Sequence, residues 1–203
     1  MAIADGLAIN CSDLQAVGGT RLVAIRIWQE ADAVVFGANH GITSILETAA
    51  PANWGVYESR IESSSLTVSG TNEGKEFTTY ECTLSFFVAG FTQEQFERLN
   101  QFDGDCLMVM VIDNNNATSG DPSPSASFSS NKVIGVSNVL PNQDVAARTQ
   151  QYARLVSVEG GTGAAFSDEI GVTVTIAATQ FEIPRAYDGT ISLGGTGLTL
   201  TTS

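Results

Sequence analysis

The sequence predicts a mainly β protein, a β-sandwich or barrel with one short flanking α-helix and extended N- and C-terminal arms. Three observations predict it. Hydrophobic residues make up 43% of the 203 residues, which is enough for a core. Many segments alternate apolar and polar residues, and clusters of Gly, Asn, Ser and Pro separate them. We expect an N-terminal arm over residues 1–20, a sandwich or barrel over 21–184 with a long loop at 113–131, and a C-terminal arm over 185–203.

The charge and the hydropathy of the chain argue against two classes of protein. With 9 Lys+Arg against 22 Asp+Glu, the formal net charge is −13, whereas proteins that grip nucleic acid need Lys and Arg to neutralise phosphates. No apolar run approaches the roughly 20 residues that cross a bilayer, and the first residues lack the basic start and apolar centre of a signal peptide. We therefore expect no membrane span and synthesis in the cytosol.

Residues that usually carry chemistry are sparse. The three cysteines, Cys11, Cys82 and Cys106, are an odd number without CxxC spacing, which predicts small buried thiols rather than a disulfide framework or a metal site. His40, the only histidine, lies in a turn-like Asn-His-Gly triplet. The segment 70–75 is too short for a phosphate-binding loop and lacks its Ser or Thr. The sequence therefore predicts a non-enzymatic protein with no cofactor and no metal.

The longest β element is a hairpin. Strands over 21–29 and 33–37 precede it, 61–69 alternates polar and apolar residues, 71–74 forms a turn, and 75–89 returns with the same alternation. A period of two predicts one face in the core and one in water. The apolar face is formed by Leu66, Val68, Tyr80, Cys82, Leu84 and Phe86. The polar face is formed by Ser65, Thr67, Ser69, Thr79, Glu81, Thr83 and Ser85.

A short amphipathic helix follows the hairpin. Thr92 is placed to cap its first turn, Gln95 stands three residues later as in a capping box, and the helix is expected to end at residues 103–104, an Asp-Gly pair. Its apolar side is formed by Phe96, Leu99 and Phe102. We expect this side to pack on a sheet.

The second half of the chain adds further strands. The apolar run 106–112 predicts a strand that is buried on both faces. The loop 113–131 is long and poor in apolar residues, so we expect it to order only against a partner. Strands are predicted over 132–140, 147–158 and 169–181.

The segment from Tyr80 to Asn116 resembles a block found in tail tube and related tail structural proteins of long-tailed bacteriophages. It reads YECTLSFFVAGFTQEQFERLNQFDGDCLMVMVIDNNN and contains an alternating strand, a short helix and an apolar strand that ends in Asp-Asn-Asn. In that family, a β-structured subunit with a flanking helix assembles into stacked hexameric rings. The long Ser/Pro loop after Asn116 departs from the family, in which a shorter turn is expected.

The resemblance implies a place in the virion tail after synthesis in the host cytoplasm. The implied partners are other copies of the chain in stacked rings and further tail proteins, namely a tape measure, a terminator, and a baseplate or sheath. Genomic DNA would pass through the bore without specific binding. Six copies would carry 6 × −13 = −78 charges per ring, a field of the same sign as DNA. The polar face of the hairpin, from Ser65 to Ser85, would then line an acidic channel.

Unpaired strand edges and the terminal arms are the predicted means of assembly. The residues expected to contact neighbouring subunits are Asp113, Asn114, Asn115, Pro122, Pro124, Phe128, Tyr187 and Leu193. The alternative for the polar face is the solvent side of an ordinary sandwich. The alternatives for function are a phage neck, tail terminator or head decoration protein, and, in a different class, an extracellular β-sandwich binding module.

Overall fold

The computed structural model describes residues 19–28, 33–37, 41–46, 54–59, 63–72, 74, 78–90, 92–113, 131–138, 151–162, 169–187, 190–192 and 199–201. These residues form thirteen strands and one helix. The strands are β1 (Thr20–Ile27), β2 (Ala33–Phe36), β3 (Ile42–Leu46), β4 (Gly55–Glu58), β5 (Ser65–Thr71), β6 (Thr79–Ala89), β7 (Leu107–Asp113), β8 (Lys132–Ile134), β9 (Arg154–Gly161), β10 (Gly171–Gln180), β11 (Arg185–Ala186), β12 (Thr190–Ser192) and β13 (Thr199–Thr201). The helix α1 spans Gln93–Asn100.

Two antiparallel sheets contain most of these strands. The five-stranded sheet has the order β11-β8-β7-β1-β4, and the four-stranded sheet has the order β5-β6-β10-β9. Their facing sides form the main core, in which the buried side chains include Val23, Ile25, Leu84, Phe86, Val109, Val174 and Ile176. The predicted mainly β fold with one short helix is therefore confirmed.

The five-stranded sheet is covered on both of its faces. Along β7, Leu107, Val109 and Val111 point into the main core, whereas Met108 and Met110 point the other way into a second core. The second core also contains Ile42 and Ile45 of the β2–β3 hairpin, Trp54 and Tyr187. This arrangement confirms that the apolar run of β7 is buried on both faces, as its lack of alternation predicted.

The helix packs beside the main core, as predicted. Its first turn begins at Thr92, whose carbonyl oxygen accepts a hydrogen bond from the Phe96 amide at 3.2 Å. Leu99 and Phe102 are buried, and the Tyr57 ring of β4 lies 6.1 Å from Phe102 and 5.8 Å from Phe86. The Tyr57 and Phe102 rings meet edge to face and the Tyr57 and Phe86 rings are tilted. Aromatic rings at these separations attract one another, so these contacts hold the end of α1 against both sheets.

At one corner of the sandwich, backbone hydrogen bonds connect the two sheets. Leu107 and Ala153 exchange two backbone hydrogen bonds, at 2.8 and 2.9 Å, which join the start of β7 to the residue before β9. Gly135, with φ +87, lies directly over this bridge, and a Cβ there would come within 2.7 Å of Leu107 O and Ala153 N. The close approach therefore requires glycine.

The structure corrects several strand predictions. The hairpin partner β3 was not predicted at all, and the strand expected over 132–140 ends at Ile134 because Gly135 turns the chain. In the described part the next strand begins at Arg154, whereas the prediction had it begin at 147; residues 139–150 lie outside the described part. Within the expected C-terminal arm, β11 pairs with β8 and belongs to the five-stranded sheet.

Two individual side chains also differ from the prediction. Val68 was expected in the core but is 42% exposed, because β5 is an edge strand and the facing sheet does not cover it. Of the cysteines, Cys82 is buried as predicted, Cys106 is half-buried, and Cys11 lies outside the described residues. Among the described residues, the single helix is too short to cross a membrane.

Replacing Gly135 by alanine is expected to lower the free energy of unfolding by about 2 kcal/mol or more, because the methyl group meets backbone atoms and the φ is left-handed. Gly104→Ala is the matched control, since Gly104 has φ +78 but no atom within 4 Å of the added Cβ. It should cost only about 1 kcal/mol of backbone strain. Urea unfolding followed by circular dichroism measures both, and equal losses would contradict the close approach.

Stability is expected to fall between about pH 9 and pH 12. Burial raises the pKa of Tyr57 from 10.0 to about 12, against a smaller opposing effect of Arg98; burial and the Glu81 charge raise the pKa of Cys82 from 9.0 to about 11. Because both pKa values are higher in the folded state, the stability they contribute is complete below the unfolded values and is lost as pH rises through the folded ones.

The variant Tyr57→Phe shows how much of this loss of stability at high pH comes from the Tyr57 phenol. Above pH 10 the variant should lose less of its unfolding free energy than the wild type, by about 2 kcal/mol at pH 12. Urea unfolding at pH 8 to 12 measures the difference. Parallel pH profiles for the two proteins would show that burial of the Tyr57 hydroxyl does not set its pKa.

Candidate functional site

The candidate site is the outer face of the four-stranded sheet, which we call the polar face. All seven residues predicted to share one face of the hairpin do share it, because β5 and β6 pair in a register that matches Ser65 with Ser85 and Thr71 with Thr79. Ser65, Thr67, Ser69 and Glu81 are exposed, and Thr79, Thr83 and Ser85 are half-buried. The Thr67 hydroxyl donates a hydrogen bond to the Thr83 carbonyl oxygen at 3.1 Å.

The two other strands of the sheet enlarge this face with residues that the sequence did not assign to it. On β10 they are Thr173, Thr175 and Thr179, which pair with the outward-facing residues of β6. On β9 they are Arg154, Ser157 and Glu159, which pair with the outward-facing residues of β10. The alternation of Thr with Val and Ile along β10 was visible in the sequence. The pairing of β10 with β6 was not, because it depends on contacts between distant parts of the chain.

Hydroxyl groups cross the polar face in a continuous row. Ser65 pairs with Ser85, Ser85 with Thr175, and Thr175 with Ser157, so each of the four strands contributes one hydroxyl. Side chains on directly paired residues lie on the same side of a sheet. Neighbouring strands are about 4.8 Å apart. The row therefore forms a band of small polar groups from one edge of the sheet to the other.

The charge of the polar face is modest. Among the described residues it carries two carboxylates, Glu81 and Glu159, and one guanidinium, Arg154. Phe87, opposite Thr173, is the one aromatic side chain on this part of the face. The strongly negative net charge of the chain is thus not concentrated here. Small hydroxyl groups, rather than carboxylates, dominate the surface.

Exposed apolar residues surround this polar face. Six large hydrophobic residues of the described part are exposed, and five of them belong to the perimeter of the four-stranded sheet. Val68 is on edge strand β5, and Val156 and Val158 are on edge strand β9. Ile170 comes just before β10 and Ile183 shortly after it. The sixth, Val35, is on the β2–β3 hairpin.

Both edges of the four-stranded sheet are unpaired among the described residues. Within the described residues, β5 pairs only with β6, and β9 pairs only with β10 apart from the bridge at the preceding Ala153. In β9, a bulge leaves Val156 as an extra residue between Leu155 and Ser157, whose partners are consecutive in β10. Unpaired edges expose backbone donors and acceptors that can bind another strand.

The structure places only two of the predicted inter-subunit residues. Asp113 ends β7 opposite Thr20 and is half-buried. Tyr187 was expected on an arm that reaches a neighbour, but it is 3% exposed and packs in the second core of its own chain, so this prediction is corrected. The remaining six lie outside the described residues: Asn114, Asn115, Pro122, Pro124, Phe128 and Leu193.

The described residues contain no cluster of three or more His, Cys, Asp or Glu side chains that could hold a metal ion. The raised pKa of Cys82, about 11, keeps that buried thiol protonated near neutral pH. His40 lies outside the described residues.

Comparison of the chain with protein-family models, with curated proteins and with solved structures finds no match.

Proposed function

We propose that the chain is a structural subunit of a bacteriophage tail tube, in which copies join edge to edge into a ring and the polar face lines the bore. The observation that carries this proposal is the four-stranded sheet itself: one face is polar, both edges are open, and apolar side chains are exposed at those edges. Natural edge strands are commonly protected by charged side chains, whereas β5 carries no charge and both edges expose valines. Rings would stack into a conduit for DNA.

The direction of the strands suits a closed ring. All pairs in the four-stranded sheet are antiparallel, so the two edge strands β5 and β9 run in opposite directions. When the sheets of neighbouring copies are placed side by side around an axis, β9 of one meets β5 of the next as an antiparallel pair. A heterologous contact of this kind closes when the rotation between copies divides a full turn.

Edge-to-edge joining would also complete the main core. Val68 pairs with Cys82 and Val158 pairs with Val174, and both of these partners are buried in the main core. The two valines therefore point to the core side, yet they are 42% and 39% exposed because the core ends at the edges. A neighbouring copy would cover them and gain roughly 25 cal/mol for each Å² removed from water.

The size and chemistry of such a ring fit the passage of DNA. Six copies of the four-stranded sheet would give 6 × 4 = 24 strands, and at about 4.8 Å spacing and 40° tilt the backbone diameter is about 48 Å. Barrels of this size enclose an open channel. In each copy this wall carries hydroxyls, two carboxylates and one guanidinium, Arg154. It therefore offers phosphates few cations to bind, so a duplex could slide through it.

This function implies a place in the virion tail, after synthesis in the host cytoplasm, and contacts with the tape measure, terminator, and baseplate or sheath proteins. A neck, terminator or head decoration protein is the alternative within the same class. An extracellular binding module is disfavoured because sugar-binding sheets present clusters of aromatic rings, whereas the described polar face has Phe87 alone and Trp54 is buried.

Electron microscopy of the purified full-length chain tests the function. We expect rings that stack into tubes with an open bore, and a three-dimensional reconstruction should place Thr83 and Thr175 on the inner wall. A monomer under all assembly conditions, single rings that never stack, or tubes with the polar face outside would each contradict the proposal. Rings that never stack would instead favour a terminator or neck protein.

Lysine at either open edge is expected to prevent ring closure. Val68→Lys and Val158→Lys each place a charge where two sheets would join, which is how natural edge strands avoid pairing. Each variant should remain monomeric at concentrations where the wild type forms rings, as measured by analytical ultracentrifugation. Val35→Lys is the matched control, because Val35 is 40% exposed on a different sheet. Equal assembly of all three variants would contradict edge pairing.

A further inference from the structure

We infer that successive rings contact each other through Ile183 at one rim and Ile170 at the facing rim of the next ring. This inference rests on the proposed tube function and adds the axial contact to the lateral one. It concerns a second copy of this chain as the partner, bound head to tail. Among the described residues, the two isoleucines are the exposed large apolar residues at the ends, rather than the edges, of the four-stranded sheet.

The position of the two residues separates them along the tube axis. Ile170 immediately precedes β10 and Ile183 follows its last residue by three positions. The ten residues of β10 span about 33 Å at 3.3 Å per residue. Strands of a closed barrel run from one rim to the other. One isoleucine therefore lies at each rim, and stacking without inversion brings unlike ends together.

Ile183 is presented by a turn that is fixed by hydrogen bonds. The buried Gln180 accepts a hydrogen bond from the Gly135 amide at 3.3 Å and donates one to the Glu182 carbonyl oxygen at 2.7 Å. The Phe181 amide donates to Gln151 Oε1 at 2.8 Å. These contacts anchor the residues before Ile183 to the start of β9 and the end of β8.

The neighbours of Ile183 on both sides, Glu182 and Arg185, also make fixed polar contacts. The Glu182 carboxylate accepts hydrogen bonds from the Asn138 amide and from both Nε and Nη2 of Arg185. The Arg185 guanidinium also lies over the Phe36 ring, 5.4 Å from its centre. Pro184, which follows Ile183, is buried. A side chain that is 60% exposed on so constrained a turn loses little entropy on binding, which favours its use as a contact.

Ile170 is anchored at the other rim. Its carbonyl oxygen accepts a hydrogen bond from the Gly90 amide at 2.9 Å, which extends the β6–β10 pairing by one step, while half of the residue stays exposed. Two preformed aliphatic groups at opposite rims are complementary in a head-to-tail contact. The contact is repeated by every subunit in the ring, so weak individual contacts add to a strong one.

Serine substitutions test the contact without removing the lateral edges. Ile183→Ser and Ile170→Ser should each form rings as the wild type does, but the concentration needed for tube growth should rise at least tenfold. Ile183→Leu is the conservative control and should form tubes at the same concentration as the wild type. Val35→Ser removes a similarly exposed side chain from the β2–β3 hairpin and should leave growth unchanged. Ultracentrifugation and side views in electron micrographs provide the measurements.

A mixture of the two serine variants gives the sharper result. A preformed Ile183→Ser ring keeps an intact Ile170 rim, and an Ile170→Ser ring keeps an intact Ile183 rim. At concentrations too low for either variant to stack alone, the mixture should therefore form stacks of two rings that grow no further. Each variant should also stop the growth of wild-type tubes from one end.

The outcomes separate this inference from the function on which it rests. If the wild type forms no rings or tubes, the tail tube proposal fails. If the wild type forms tubes and the serine variants form tubes of the same length at the same concentration, only the axial contact is overturned. Mixtures without two-ring stacks, despite defective growth of each variant, would overturn the head-to-tail pairing of Ile183 with Ile170.

Discussion

The main core between the two sheets is the constraint on which the rest of the structure depends. It buries one face of the four-stranded sheet and, together with the second core, both faces of the five-stranded sheet. A strand with one buried face alternates buried and more exposed side chains, as β6 and β10 do. A strand with two buried faces can be apolar throughout, as most of β7 is. The polar face exists because no further layer covers it within the described residues.

The perimeter of the four-stranded sheet shows where this core ends. Val68 and Val158 point to the core side but remain exposed, since the facing sheet stops short of the two edges. The four-stranded sheet therefore has one polar face, one face packed in the main core, and exposed apolar side chains at both edges and both ends. In the proposed tube, lateral and axial association would use different sides of the four-stranded sheet, so each could be disturbed separately.

The described polar face carries fewer charges than the net charge of the chain suggests. The chain as a whole is strongly acidic, but the described polar face carries only Glu81, Glu159 and Arg154 among its hydroxyl groups. In the proposed tube, a wall of Ser and Thr with few charges would bind phosphates only weakly.

The sequence by itself determined the local structure. Adjacent residues encode the period of two in the hairpin, the helix after Thr92 and the apolar strand of β7, because these patterns depend on neighbours in the chain. Only the tertiary structure decided that β10 and β9 extend the polar face, that β3 forms, and that Tyr187 belongs to a core. These outcomes depend on pairing between distant segments, whose free energy comes from burial that no local pattern records.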